Sequence, residues 1–304
     1  MKPARDITIY DIAKAVNLSA STVSRALRNH PYIRKETRKK IQAAAAEMGY
    51  RQNKFASNLR QKHTYTIGVV VPRLDSYFMA SVLAGIEKIT SGNGYGLIIS
   101  QSQESSRKEA ACVTTLYNSR VDGLLVSLAL NTKYTKHFAV LWDRDIPVVF
   151  FDRVAECQKC ISVVIDNYRA GYEATSHLID QGCKRIMHLG GNMLRNVYSE
   201  RYRGYRQALA DNKIEFRDEF IFETDMSEQA GIDLAKKMLS MKEMPDGLFT
   251  SNDTSAVAAM VEDPLANRAV LKLDVCEQRV LPRRLDDVGD VVGPLLVEAT
   301  GPGR

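Results

Sequence analysis

Long apolar runs are missing from this chain of 304 residues. No stretch approaches the roughly 20 residues a helix needs to cross a bilayer, so a membrane-spanning reading is excluded. The opening residues, Met1 to Asp6, lead into polar helix signals and not into an apolar leader, and the expected location is the cytoplasm. Cysteine is sparse: Cys112, Cys157, Cys160, Cys183 and Cys276 make five, an odd and scattered set that argues against a disulfide framework. Cys157 and Cys160 have C-x-x-C spacing. No second pair and no zinc-spaced histidine accompanies them, so they read as incidental to a loop. Hydrolase, zinc-protease and phosphate-loop motifs are also missing: there is no G-x-S-x-G, no H-E-x-x-H and no G-K-[ST]. The glycine-rich run at 92–96 precedes a strand pattern, which makes it a turn. His177 falls mid-helix and His188 within an apolar strand, both places for structural histidines. No catalytic set, metal or cofactor is expected.

What the chain does have is positive charge in one place. Residues 1–63 hold 14 Lys/Arg against 4 Asp/Glu, and the rest of the chain holds 28 against 32. A segment that is basic and also carries apolar periodicity suits an electrostatic grip on phosphates by one folded module. Within it, Thr8 and Asp11 form a capping box for a first helix, with Ile12 and Val16 on one face. Asn17-Leu18-Ser19 makes a turn, and Ser19 caps a second helix. In that helix Val23 and Leu27 point inward, while Ser21, Ser24, Arg25 and Arg28 share the opposite face. Ala20, Ser21 and Ser24 are short enough for the helix to approach a DNA major groove. Arg25 is long enough to make a bidentate contact to guanine. Tyr10, Ser19, Thr22 and Asn29 are placed to hydrogen-bond phosphates. A third helix is expected from about 35 to 48, with Ile41, Ala45 and Met48 inward and Gly49 closing it. Asn53 can cap a short helix carrying Ala56 and Leu59, too short to persist alone in water.

These residues carry a resemblance. Asp11-Ile12-Ala13, Ser19-x-x-Thr22-Val23-Ser24-Arg25, Thr37-Arg38, Gly49-Tyr50 and Asn53-x-x-Ala56-x-x-Leu59 occur in the order and spacing of the lactose-repressor (LacI/GalR) family of bacterial transcription regulators. The resemblance implies that Ala20, Ser21 and Arg25 read bases and that Leu59 is a wedge for the minor groove at the centre of a palindromic operator. The DNA-facing set is then Thr8, Tyr10, Ser19, Ala20, Ser21, Thr22, Ser24, Arg25, Asn29, Tyr50, Asn53, Ala56 and Leu59. Gln52 stands where the family usually has proline. Arg34 stands where a capping Ser or Asp is common.

From Thr66 the pattern changes to short apolar strands alternating with amphipathic helices. Strands are expected at 67–71, 97–100, 123–126, 148–151, 163–165, 186–189 and 247–250. Helices are expected at 77–90, 107–118, 168–181, 199–211 and 228–241. Continuous apolar strands between helices predict parallel sheets covered on both faces, with ligands beyond the carboxyl ends of the strands. Polar residues after strands are therefore candidates: 75–78, 152–153, 192–201 and 251–253. The resemblance implies two Rossmann-like lobes, similar to periplasmic sugar-binding proteins, closing on a small effector. Tyr77 and Phe78 match its stacking positions and Asp152, Asn252 and Asp253 its hydroxyl-binding ones. Arg195 and Arg201 match the clamp of the second lobe, with Arg201-x-x-Gly204-Tyr205 as the family's R-x-x-G-[FYW].

After Met260 the family pattern stops. No aromatic residue follows Phe249 and no Ile or Ser follows Ser255. Pro264 should end the helix begun near Ser255. The second lobe is expected to lack a strand and an acidic ligand residue. The expected organisation is an all-α helix-turn-helix head (1–50), a hinge (51–63), a two-lobed α/β periplasmic-binding-protein-like core (64–260) and an atypical tail (261–304). The expected protein is a homodimeric repressor of a pseudo-palindromic operator, controlled by a carbohydrate-type effector. Its rivals are a DNA binder whose receiver no longer senses, and an α/β enzyme using the same cleft.

Overall fold

In the computed structural model, residues 7–50, 63–155, 160–262 and 272–275 are described, the last four and 261–262 as backbone only. They fall into two units, with the boundary between Thr64 and Tyr65.

The first unit is a three-helix head: α1 (Ile9–Val16), α2 (Ala20–Leu27) and α3 (Lys35–Glu47). The Asp11 carboxylate accepts from the Thr8 backbone N–H at 2.8 Å and its hydroxyl at 2.6 Å, tying down a helix start that would otherwise leave donors unpaired. Asn17 turns the chain at φ 55°, a left-handed conformation that Asn tolerates better than most residues. Ser19 Oγ then accepts from the Thr22 N–H at 3.2 Å and starts α2. Ile12, Val16, Val23, Ala26, Ile41 and Ala45 form the core. Leu27, expected inward, is half-buried, and Ala26 is fully buried. Leu27 still packs against that core, so Val23, Ala26 and Leu27 together seat α2. Arg34 opens α3 without a side-chain cap, and Gly49 follows the helix at φ 68°.

The second unit begins with a five-stranded parallel sheet, order β2-β1-β3-β4-β5. Its strands are β1 (Thr66–Val71), β2 (Gly96–Gln101), β3 (Gly123–Val126), β4 (Val148–Phe151) and β5 (Ile161–Val163). Helices α4 (Tyr77–Gly92), α5 (Ser106–Asn118) and the short α6 (Ala139–Trp142) connect them. Alternation along β1 explains the two-sided cover: Ile67, Val69 and Val71 pack with Met79 and Ile86 of α4, while Val70 packs with Val113 and Leu116 of α5. β5 lies two residues earlier than expected, in register Val149↔Ile161 and Phe151↔Val163. Pairing with β4 overrides the apolar run at 163–165.

The second sheet, also parallel, has the order β7-β6-β8-β9, from β6 (Ile186–Gly190), β7 (Ile221–Glu223), β8 (Gly247–Thr250) and β9 (Lys272–Val275). α7 (Asn167–Asp180) and α8 (Asn196–Asp211) cover one face through Ala170, Ala174, Tyr205 and Leu209. α9 (Glu228–Leu239) and α10 (Asp253–Glu262) cover the other through Leu234, Ala235, Met238 and Ala259. Two of these strands go beyond what the sequence pattern predicts. β7 has only three residues, too few to show a period. β9 lies in the segment expected to lack a strand, yet it pairs in parallel along β8 from Gly247↔Lys272 to Thr250↔Val275. Among the described residues no helix is long and apolar enough to cross a membrane.

Candidate functional site

On the head, Ser21 and Arg25 lie on the exposed face of α2, and Tyr10 is 71% exposed. Arg28 donates to Ser24 Oγ at 2.6 Å, so that hydroxyl is already engaged, whereas the Arg25 side chain forms no hydrogen bond or ion pair with a described residue. The hydroxyls of Ser19, Ser21 and Thr22 form a linked set, 2.9 and 2.8 Å from Ser19 Oγ. Asn29 sits at φ 56° after the helix, and its side chain accepts from Gln42 at 3.2 Å. Thr8 is held by Asp11. Ala20 and Tyr50 are half-buried against the head core, and burial raises the Tyr50 pKa. The structure thus presents Tyr10, Ser19, Ser21, Arg25 and Asn29 on the surface, and gives Ala20 and Tyr50 packing roles as well. Asn53, Ala56 and Leu59 lie outside the described residues.

In the second unit a cleft of about 750 Å³ opens at the carboxyl ends of both sheets, where an α/β architecture places ligands. Of the predicted effector residues it brings together Phe78, Asp152, Arg201, Asn252 and Asp253. Tyr77 is not among the lining residues and is 77% exposed. Neighbouring residues on a helix project about 100° apart, so Phe78 facing the cleft turns Tyr77 away. Arg195 is also outside the lining: it is buried, 5% exposed, and donates across the lobes to the Thr132 carbonyl. It therefore braces one lobe against the other in this arrangement.

Asp152 ends β4 in the left-handed region, φ 58°. Ser127 Oγ donates to its carboxylate at 3.0 Å. Part of the residue stays open to the cleft, but surrounding protein atoms raise its pKa through burial, against the pull of Arg153 and Arg201. Asn196 locks this corner from the second lobe, donating to the Asp152 carbonyl at 2.9 Å and accepting from the Val154 N–H at 3.0 Å. Arg201 Nε donates to Asn167 at 2.9 Å and Nη1 to the Ser251 carbonyl at 2.5 Å. Asn252 is engaged in structure: it donates to the Met226 carbonyl at 2.9 Å and caps α10 by accepting from the Ser255 N–H at 3.1 Å.

Sequence reasoning missed Arg73, Glu104 and Asp225, all in the lining. Glu104 follows β2 and pairs with Arg153 at 2.8 Å, so the rule of polar residues after strands suffices to find it. Asp225 follows the three-residue β7, which leaves no such signal. Cys160 is disulfide-bonded, which corrects its reading as an incidental loop cysteine. Cys112 is a free thiol, and Cys183 Sγ donates to the Asp246 carbonyl at 3.2 Å. Cys157 and Cys276 lie outside the described residues.

Comparison with known proteins gives two family matches. Residues 8–53 match bacterial regulatory proteins of the lacI family. Residues 64–291 match the periplasmic binding proteins and sugar binding domain of LacI family, so the likeness runs past residue 260, and β9 falls inside it. The chain is similar to Catabolite control protein A of Priestia megaterium, 31% identical over 84% of this chain and 76% of that one. It is also similar to the HTH-type transcriptional repressor PurR of Serratia proteamaculans, 30% identical over 83% and 74%. Among solved structures, a lac repressor dimer bound to operator and the anti-inducer ONPF superposes with TM-score 0.81 at 22% identity, covering 98% of this chain and 94% of that chain. The regulator CcpA of Lactococcus lactis matches with TM-score 0.64 at 27% identity, covering 77% and 90%. With a helix-turn-helix head, a two-sheet receiver and relatives of this kind, the chain belongs to the LacI family of DNA-binding transcription regulators, which are not enzymes.

Proposed function

We propose that the protein is a cytoplasmic repressor that binds a pseudo-palindromic operator as a homodimer and is released or recruited by a carbohydrate-type effector held between the two lobes. The observation that carries the DNA half is the exposed, unengaged Arg25 on the outer face of α2. The effector half rests on the cleft, where an aromatic ring, a half-buried carboxyl and a guanidinium converge at Phe78, Asp152 and Arg201, a combination that suits a polyhydroxylated ligand. An effector regulates only if it binds the two lobe arrangements with different affinity.

Selection of bound sites from random duplexes tests the first half: a two-fold symmetric sequence is expected, and binding without preference over scrambled duplex overturns the reading. Titrating sugars against the operator complex tests the second, since a sensing receiver changes operator affinity. The composition of residues 261–304 favours a second reading, a receiver that no longer senses. It predicts the same operator and an affinity that no effector moves.

A further inference from the structure

We infer that the effector carries a protonated amine, so that its class is an amino-substituted sugar and not a phosphorylated or acidic one. The inference rests on the carbohydrate reading above and narrows it. Among the described residues, the cleft is lined by six carboxyl side chains and three arginines. Each arginine is already engaged by the protein. Arg73 is bidentate on Asp75, at 2.9 and 2.6 Å. Arg153 holds both Glu104 oxygens at 2.8 Å. Arg201 is bonded to Asn167 and to the Ser251 carbonyl.

Three carboxylates on the second lobe have no such partner. Asp225, Glu228 and Asp253 form no salt bridge with a described residue. They stand where an anion would otherwise bind, because α9 and α10 both start at the cleft and helix starts attract negative charge. Here four of those amides are taken. Ser227 N–H donates to Asp225 at 3.0 Å and Ala230 N–H to Ser227 Oγ at 3.2 Å. Thr254 N–H donates to Asp253 at 2.7 Å and Ser255 N–H to Asn252 at 3.1 Å. Bonding to Ser227 holds the Asp225 pKa below its ordinary value, which keeps it charged. A phosphate entering this wall meets three negative groups, whereas an ammonium meets three acceptors.

An independent feature points to a ligand beside that wall. Ser251 lines the cleft and is fully buried, and its hydroxyl has no hydrogen-bond partner. Buried hydroxyls without partners are uncommon in folded proteins. With Asp152 opposite Arg201, Ser251 supplies the neutral half of the site, for sugar hydroxyls, and the acidic wall supplies the charged half.

The test measures binding to the full chain by calorimetry, using charge-graded sets built on glucose, galactose and mannose: the 2-amino sugar, the parent hexose and the 6-phosphate of each. At least one amino sugar is expected to bind about tenfold tighter than its parent, with the phosphate weakest and the preference shrinking as salt rises. In Glu228→Gln/Asp253→Asn the ratio of amine to parent affinity is expected to fall to about twofold. Two results overturn the amine inference and leave the carbohydrate reading standing: a parent hexose that binds as tightly as its amine, or a phosphate that binds best. If no member of any charge binds, the carbohydrate reading itself falls. Salt dependence of the unaltered chain keeps the inference open to refutation should the double variant fail to fold: an amine preference unchanged by salt overturns it.

Discussion

Gly171 of α7 lies against the backbone of Arg201 in α8: a β-carbon at Gly171 would stand 2.2 Å from the Arg201 carbonyl oxygen. The contact is reciprocated by Gly204, whose β-carbon would stand 2.1 Å from the Tyr168 carbonyl oxygen. Both obstacles are backbone, which cannot rotate away. The glycine of the R-x-x-G motif therefore seats α8 on α7 closely enough for Arg201 to reach both Asn167 and Ser251. Gly171→Ala is expected to cost about 3 kcal/mol in a urea melt. Gly92→Ala is the control. That residue ends α4 with nothing within 4 Å of its β-carbon, and the substitution is expected to be neutral or to stabilise by about 0.4–1 kcal/mol. Equal effects at the two positions would show that helix propensity alone is being measured.

His188 gives a pH prediction. It is fully buried, stacked on Phe249 at 4.7 Å and Tyr205 at 5.2 Å, with no partner in normal geometry for either ring nitrogen. Burial, aided by Arg201, lowers its pKa from 6.5 to about 3. Above pH 6.5 the ring is neutral folded and unfolded, and contributes no pH dependence. As pH falls from 6.5 towards 3, the unfolded chain takes up a proton that the folded chain refuses, and stability drops by up to about 1.4 kcal/mol per pH unit. His188→Phe keeps the ring and removes the titration. Its stability curve is expected to be flatter by that slope between pH 6 and 4, with a change below about 1.5 kcal/mol at pH 7.5. An unaltered acid limb would place the uptake on other groups.

Much of this is legible in the sequence for physical reasons. Strands 123–126, 148–151 and 247–250 have the bounds the pattern predicts, because continuous apolar runs between turn residues leave little choice. The head is legible because capping chemistry is local: Thr8–Asp11 and Ser19–Thr22 are each three residues apart. Features that depend on the other end of a contact are not. Nothing local distinguishes Arg195, which reaches the opposite lobe, from Arg201, which lines the cleft, and nothing local announces that Phe78 and not Tyr77 faces it. β9 is hidden for a related reason. Its sequence, Lys272-Leu273-Asp274-Val275, is ordinary until it lies along β8.

Arg195 and Arg201 are expected to respond oppositely to the same change. Arg195 has two of its three guanidinium nitrogens, Nε and Nη1, buried without partners, and burial lowers its pKa. An apolar side chain of similar length relieves that cost, so Arg195→Met is expected to leave stability unchanged or raise it by about 1 kcal/mol. Arg201→Met strands the buried Asn167 side chain and the Ser251 carbonyl, and is expected to cost about 2–4 kcal/mol. Urea denaturation of both variants decides the matter. A large loss from Arg195→Met would show that its bond to Thr132 outweighs the two unpaired donors.

Arg25 and Arg28 share the outer face of α2 but not a role. Arg28 is tethered to Ser24 at 2.6 Å, which leaves it suited to a phosphate. Arg25 is exposed and unengaged, so its fork is available for the edge of a base. Arg25→Ala is expected to cost about 1–3 kcal/mol against the best operator and to relax preference at one symmetric pair of base positions. Arg28→Ala is expected to weaken all duplexes alike and to make the slope of log affinity against log salt shallower by about 0.9 for each phosphate that Arg28 neutralises. Binding should be measured for both variants over a series of salt concentrations, on the selected operator and on single-base variants of it. If Arg25→Ala lowers affinity by the same factor on every duplex, Arg25 touches backbone, and α2 does not present that residue to the bases.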